Sequence, residues 1–323
     1  MKAILWTAYG PPGVLQPGEV EKPSPRENEV LVRVHASTVT TGDCEMRKLK
    51  LPLFFSFPMR LYAGFRKPKR ITILGQELAG EVEAAGRQVK RFKPGDPVFG
   101  TTTLQLGAYA EYICVPEELL APRPSNLTYE QAAAIPLGGQ ESLYYLRKAS
   151  IRSGQKVLVY GAGGSIGTVA VQLARHYGAE VTAVDSASKL EMLRSIGAAH
   201  VVDYTRQDFT QSGVIYDVIF DVVGKSPFSR TLDCIKEEGY YLIANPGLSH
   251  ILRSPWASRK NGKKILYGKS EQKVEDLLQL KELIEAGRIT PVIDRIYPLE
   301  QTAEAHAYVE TGEKKGSVVI TIP

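Results

Sequence analysis

Two hydrophobic rhythms divide the chain. Through its first third the segments "EVLVRVHAS", "LAGEVEAAG" and "YAEYICV" alternate apolar and polar residues, with Pro and Gly turns such as "KPGDPVFG" between them. That is the pattern of half-buried β-strands. From Lys156 onward short continuous apolar runs alternate with helical patterns: "KVLVYG" precedes "TVAVQLARHYG", "EVTAVD" precedes "KLEMLRSIG", and "HVVDY", "YDVIFDVVG", "GYYLIANP" and "KKILYG" follow. Such an alternation predicts a parallel sheet covered on both faces. "VEDLLQLKELIEAG" predicts a helix ending at Gly287, after which "ITPVIDRIY" and "GSVVITI" return to strand character. The expected fold class is therefore α/β. A doubly wound domain over residues 124–287 is expected between two pieces of a β-rich domain, residues 1–123 and 288–323.

Composition narrows the class. The 323 residues, 43% apolar and 23% charged, suffice for about two domains with their own cores and suggest neither a disordered nor a fibrous chain. The net charge of +5 is spread along the chain except for one basic segment at residues 47–70, so no nucleic-acid partner is expected. Cys44, Cys114 and Cys234 are sparse and form no C-x-x-C pair, which suits a reducing compartment. The opening "MKAILWTAYG" is too short an apolar run for a signal peptide, and no run approaches the roughly 20 residues of a membrane span. A soluble, cytoplasmic protein is expected.

The chemistry concentrates in "VLVYGAGGSIGTVAVQLAR". Its glycines miss the usual G-x-G-x-x-G register, since Ile166 stands where the third would fall and Gly167 follows it. The roles survive the shift: Gly161 ends a strand, Gly164 lets backbone approach a pyrophosphate, and Gly167 lets the helix pack closely. With Gly163, Ser165 and Ile166 these residues form a candidate phosphate cradle at a helix amino end. A glycine turn can also be purely structural. The strand before it, the helix after it and the further strands beyond favour nucleotide binding. Asp185 ends the next strand, where an acidic residue accepts hydrogen bonds from an adenosine ribose and repels a 2′-phosphate.

The segments "KAILWTAYGPPGVL", "GQELAGEV", "RFKPGDPVFG", "GAGGSIG" and "KKGSVVITI" occur in an order that resembles the medium-chain dehydrogenase/reductase superfamily over essentially its whole length. Within it, the seven-residue glycine loop resembles the zinc-free quinone oxidoreductase-like branch. The resemblance implies a GroES-like substrate domain, a Rossmann domain and an active cleft. It also implies a homo-oligomer, since relatives are dimers or tetramers. In zinc-dependent relatives the catalytic metal takes a Cys, a His in a G-H-E motif, and a further Cys or acid. Here Thr40, Gln76 and, approximately, Leu137 stand at those positions, and "TTTLQLGAYAEY" lacks the cysteines of the structural zinc lobe. No metal is expected, and Cys44 reads as a packed thiol.

Without a Lewis acid, alcohol oxidation lacks its usual means of holding an alkoxide. Hydride addition to a quinone or an α,β-unsaturated carbonyl needs only donors for the resulting oxyanion. That reductase is the favoured reading. An alcohol dehydrogenase-like enzyme and a non-enzymatic nucleotide-binding protein on the same fold stay open.

By the resemblance, Thr40 replaces an Asn that points at substrate, and its hydroxyl can donate there or bond to backbone. Tyr62 reaches the cleft only if its segment folds over it. Glu141, in "PLGGQESLYYL", replaces a cofactor-contacting Thr and can act as a protonated donor, an acceptor, or a residue turned to solvent. Asp221 and Gly224 in "DVVG", Asn245, Pro246 and Gly247 in "NPG", and Ser317 match strand-end positions that line the nicotinamide side. None of His35, His176, His200, His250 and His306 pairs with a nucleophile, so no general acid is assigned. Ser186, Lys189 and Tyr204 match the Ser, Lys and Tyr that NADP(H)-using relatives place around the 2′-phosphate. NADP(H) is therefore favoured over NAD(H), with the Asp185 carboxylate turned away.

The basic segment "RKLKLPLFFSFPMRLYAGFRKPKR" has an apolar centre flanked by Lys48, Lys50, Arg60, Arg66, Lys67, Lys69 and Arg70. Three readings stay open: a packed loop with a solvated rim, a lid over a lipophilic substrate, and a contact with an anionic membrane surface.

Overall fold

The structure is a computed structural model that describes residues 1–49, 53–268 and 270–323, with the side chains of 53–56, 260 and 261 outside the description. Lys50, one of the basic residues singled out above, lies outside the described residues. The chain forms two units: Met1–Leu137 with Gln272–Glu285 and Pro291–Pro323, and Gly138–Glu271 with Ala286–Thr290.

In chain order the first unit begins with β1 (Lys2–Trp6), β2 (Leu15–Glu19), β3 (Glu29–Val39), α1 (Thr41–Lys48) and α2 (Leu53–Ala63). It continues with β4 (Glu77–Ala85), β5 (Pro97–Thr101), β6 (Tyr112–Pro116), β7 (Leu120–Pro122) and α3 (Tyr129–Ala133). Next come α4 (Pro136–Ala149), β8 (Lys156–Tyr160), α5 (Ser165–His176), β9 (Glu180–Asp185), α6 (Leu190–Ser195), β10 (His200–Asp203) and β11 (Tyr216–Asp221). Then α7 (Phe228–Asp233), β12 (Ile235–Ile243), α8 (Leu248–Asn261) and β13 (Lys264–Tyr267) complete the second sheet. The chain ends with α9 (Val274–Glu285), β14 (Ile293–Pro298), α10 (Thr302–Glu310) and β15 (Ser317–Thr321).

The last strands finish what the first ones began. β15 pairs antiparallel with β3, Val318 opposite Val39, and β14 lies parallel beside β15. The sheet runs β14-β15-β3-β4-β5-β7, with β6 also on β3. Its inward residues Val30, Val32, Val34, Leu78, Val82, Val98 and Ile320 form the core, which is why the alternating pattern appears in both terminal pieces of sequence. α9 packs on β7 and belongs to this unit, whereas the hydrophobic pattern alone groups it with the parallel-sheet unit.

The second unit is a six-stranded parallel sheet in the order β10-β9-β8-β11-β12-β13. This is the doubly wound order of a Rossmann fold, and its reversal falls between β8 and β11. Val157, Leu158 and Val159 of β8 are wholly buried, as a central parallel strand requires. Within the 47–70 segment, α2 is helical and carries Pro58.

Candidate functional site

Each unit holds one cluster of chemically capable groups. In the second, β8 ends in the glycine turn and α5 opens at Ser165 with Gly164 as its cap. Gly161 sits at φ +79°, and a side chain on Gly167 would place Cβ 2.4 Å from the Gly161 carbonyl oxygen. Strand and helix can approach so closely only with glycine there. A Cβ on Gly164 would meet nothing closer than 3.9 Å, so that face of the turn is open. The first-turn N–H groups of α5 and the positive end of its dipole suit a pyrophosphate.

Asp185, at the end of β9, is built into the back of this turn. Its carboxylate accepts from the Gly163 N–H at 2.7 Å and the Ser186 N–H at 2.8 Å, and it pairs with Lys189 at 3.1 Å. Both partners of the ion pair are buried. A Cβ on Gly163 would fall 2.4 Å from the Lys189 side chain, so the pair and the turn depend on each other. Ser186 Oγ lies 3.3 Å from Ser188 Oγ, and Tyr204 is exposed beside Tyr160. The sequence-predicted loop residues, Asp185, Ser186 and Lys189 are thus brought together. The direct pairing of Lys189 with Asp185 is what the sequence reading missed, although the four-residue spacing was its signal.

The strand-end residues hold their own turns. The Asp221 carboxylate accepts from the N–H groups of Val223, Gly224 and Ser226. Asn245 donates to the Val222 carbonyl, and Gly224, at φ +66°, leaves room for the Asn245 carbonyl, tying the ends of β11 and β12. Pro246 leads to Gly247, which caps α8 and donates to His250 Nδ1. Glu141 is half-buried on α4 and accepts from Ser270 Oγ at 2.8 Å.

Thr40, Tyr62 and Ser317 belong to the first unit. Thr40 caps α1 in a capping box: its hydroxyl accepts from the Asp43 N–H at 3.0 Å and donates to the Asp43 carboxylate at 2.6 Å. The amide of Gln76 reaches Asp43 and Thr40, each at 3.4 Å. Asp43 is fully buried among these neutral groups, and burial raises its carboxyl above the usual range against the hydrogen bonds that lower it. Beside it Glu77 accepts from Thr38 and from the Leu137 N–H, and burial pushes it up to about 7. This pair of buried carboxyls was not foreseen; the signal for Asp43 was the T-x-x-D box at Thr40. Tyr62 packs on the unit's core with the Arg70 guanidinium over its ring, and Ser317 donates to the Ala134 carbonyl.

A hydroxyl and an amide beside one buried carboxyl supply none of the Cys or His ligands that zinc sites are built on, and the described residues include no metal-capable cluster of His, Cys, Asp and Glu. Cys44 lies 3.4 Å from His306 Nδ1, but burial pushes the thiol up to about 12 and the imidazole down to about 3. Both stay neutral, so this is a packed pair and not an activated nucleophile.

Residues 26–125 match the family model of an alcohol dehydrogenase GroES-like domain, and residues 196–320 that of a zinc-binding dehydrogenase. The chain is 33% identical to a 2-methylene-furan-3-one reductase of Solanum lycopersicum, across 99% of this chain and 79% of that protein. It is 31% identical to a chloroplastic NADPH-dependent alkenal/one oxidoreductase of Arabidopsis thaliana, with the same coverage of 99% and 79%. Its fold is similar to the quinone oxidoreductase structure from Coxiella burnetii, with a TM-score of 0.90 and 27% identity over 100% of this chain and 99% of that one.

Proposed function

The chain belongs to the medium-chain dehydrogenase/reductase superfamily, in its quinone-oxidoreductase-like branch, and from that premise we propose that it is an NADPH-dependent, zinc-independent reductase of quinones or α,β-unsaturated carbonyls. The observation that carries this reading is the open glycine turn with the Asp185–Lys189 pair behind it. The turn from Gly161 to Gly167 holds the pyrophosphate with backbone N–H groups. Lys189 supplies a cation, and Ser186 and Tyr204 supply hydroxyls, for the adenosine 2′-phosphate. Asp185 would keep its two backbone N–H partners if Lys189 turned from its carboxylate to the phosphate. The names of the tomato and Arabidopsis relatives support the acceptor class, and that of the latter supports the cofactor.

Bound nicotinamide cofactor supplies the hydride, which adds to an electron-poor carbon. The protein's part is orientation. His306 is buried and held neutral, so it is not assigned as the acid. Absorbance at the reduced-nicotinamide band, followed with NADPH or NADH against a panel of quinones and enones, tests the reading. Consumption of NADPH in preference to NADH with at least one class is expected. Protein that binds NADPH yet oxidises it with neither class would sink the proposal, and chelator-sensitive alcohol oxidation with stoichiometric zinc would replace it.

A further inference from the structure

α2 is mostly apolar, with Arg60 in its last turn, and its described side chains divide into a covered set and an exposed one. Met59, Tyr62 and Ala63 pack on the first unit's core, which anchors the helix. On the other side Phe57 is 59% exposed and Leu61, one turn on, 65%; Phe65, just past the helix end, is 60% exposed. A soluble surface rarely leaves such a group of large apolar side chains bare. The chain then turns back sharply. The N–H groups of Lys69 and Arg70 both donate to the Ala63 carbonyl, at 2.8 and 3.1 Å, and the Tyr9 hydroxyl donates to the Gly64 carbonyl. Arg66, Lys67, Lys69 and Arg70 are thereby held beside the bare apolar residues, all exposed. Arg60 completes the rim, donating to the Phe65 carbonyl at 3.0 Å. Phe65, Arg66, Lys67 and Lys69 also border an open hollow of about 490 Å³.

The charge is one-signed. Between Glu45 and Glu77 the sequence carries eight Lys and Arg and no Asp or Glu, in a chain whose net charge is +5, so the remainder is net negative. A second copy of this chain would set the same cations against themselves across a two-fold axis. An anionic bilayer complements both properties, since its phosphates take the cations and its acyl boundary takes the phenyl and leucyl groups.

We propose that the face formed by Phe57, Leu61 and Phe65 with the Arg66–Arg70 turn docks the protein peripherally on an anionic lipid surface. This stands on observations independent of the proposed reaction.

The full chain is sedimented with vesicles of phosphatidylcholine alone and of phosphatidylcholine and phosphatidylserine in equal parts, at low and high salt. Binding to the anionic vesicles alone, weakened by salt, is expected. Two variants, Phe57→Ser with Leu61→Ser and Phe65→Ser, and Arg66→Glu with Lys67→Glu and Lys69→Glu, each reduce partitioning by more than about tenfold. Their thermal midpoints and cofactor binding stay unchanged. Leu252→Ser with Trp256→Ser, which removes exposed apolar groups of α8, keeps anionic-vesicle binding. The proposal is overturned if the wild type ignores anionic vesicles or binds neutral ones equally, or if both α2-face variants partition as the wild type does. A raised KM for lipophilic acceptors in those variants, with no change in partitioning, would make the segment a substrate lid and overturn it too.

Discussion

Asp43 in the first unit and Asp185 in the second are both withdrawn from water at the start of a helical segment, and their surroundings differ in one respect. Asp43 meets neutral donors, among them Thr40 and Gln76, and burial raises its carboxyl. Asp185 meets two backbone N–H groups and the ammonium of Lys189. A buried carboxyl among neutral donors closes a network and has nothing to exchange. A carboxylate paired with a movable cation can release that cation to an incoming anion and keep its backbone bonds. The first arrangement suits a lock and the second suits a binding site.

The largest effect is expected where the lock is removed. Asp43→Ala leaves the buried Thr40 N–H and hydroxyl without their carboxylate acceptor, and should cost about 3 to 4 kcal/mol in denaturant unfolding. Asp43→Asn should recover much of that loss. If Asp43→Ala costs no more than a surface change, the contrast between the two aspartates collapses.

Next in size is a pH effect on the same unit. Glu77 is raised from its ordinary 4.5 to about 7, chiefly by burial, with Asp43 raising it further and Lys314 lowering it. Between those values the folded protein keeps a proton that the unfolded chain has released. Stability therefore falls as pH rises through that window and levels above it, by about 3 kcal/mol at most. Asp43, raised by the same cause, adds in the same direction. Glu77→Gln should remove most of the slope in thermal midpoint between about pH 5 and 8; an undiminished slope would place its origin elsewhere.

The second unit's pair is tested through binding. Lys189→Ala should weaken NADPH binding by about tenfold or more while changing NADH binding little, as cofactor fluorescence titration would show. Equal losses for both cofactors would make the lysine a mere support for Asp185. The smallest effect is expected for Asp185→Asn, which keeps an acceptor for Gly163 but frees Lys189 of its counter-ion. It should raise the preference for NADPH a few-fold, and a shift toward NADH would reverse the proposed roles.

Local pattern carried much of this architecture. The period of two along β3 and β4 and the unbroken apolar run of β8 are set by which faces of a strand are buried. The glycines at 161 and 167 are visible because a positive φ at one and backbone contact at the other leave no room for a side chain. Thr40 was less legible. Its identity shows a donor, but whether that donor meets a ligand or the Asp43 carboxylate depends on where α1 begins.

The sequence by itself determined the two rhythms, the glycine turn after β8 and the Thr and Gln at positions 40 and 76, since each is written in neighbouring residues and follows from backbone sterics or side-chain chemistry. Tertiary structure alone decided that β14 and β15 close the sheet begun by β3, that Cys44 rests against His306, and that Lys189 lies in an ion pair under Gly163. It also decided which side of α2 stays bare. Those outcomes depend on segments far apart in the chain competing to bury the same surface, and such competition leaves no mark in any short stretch of residues.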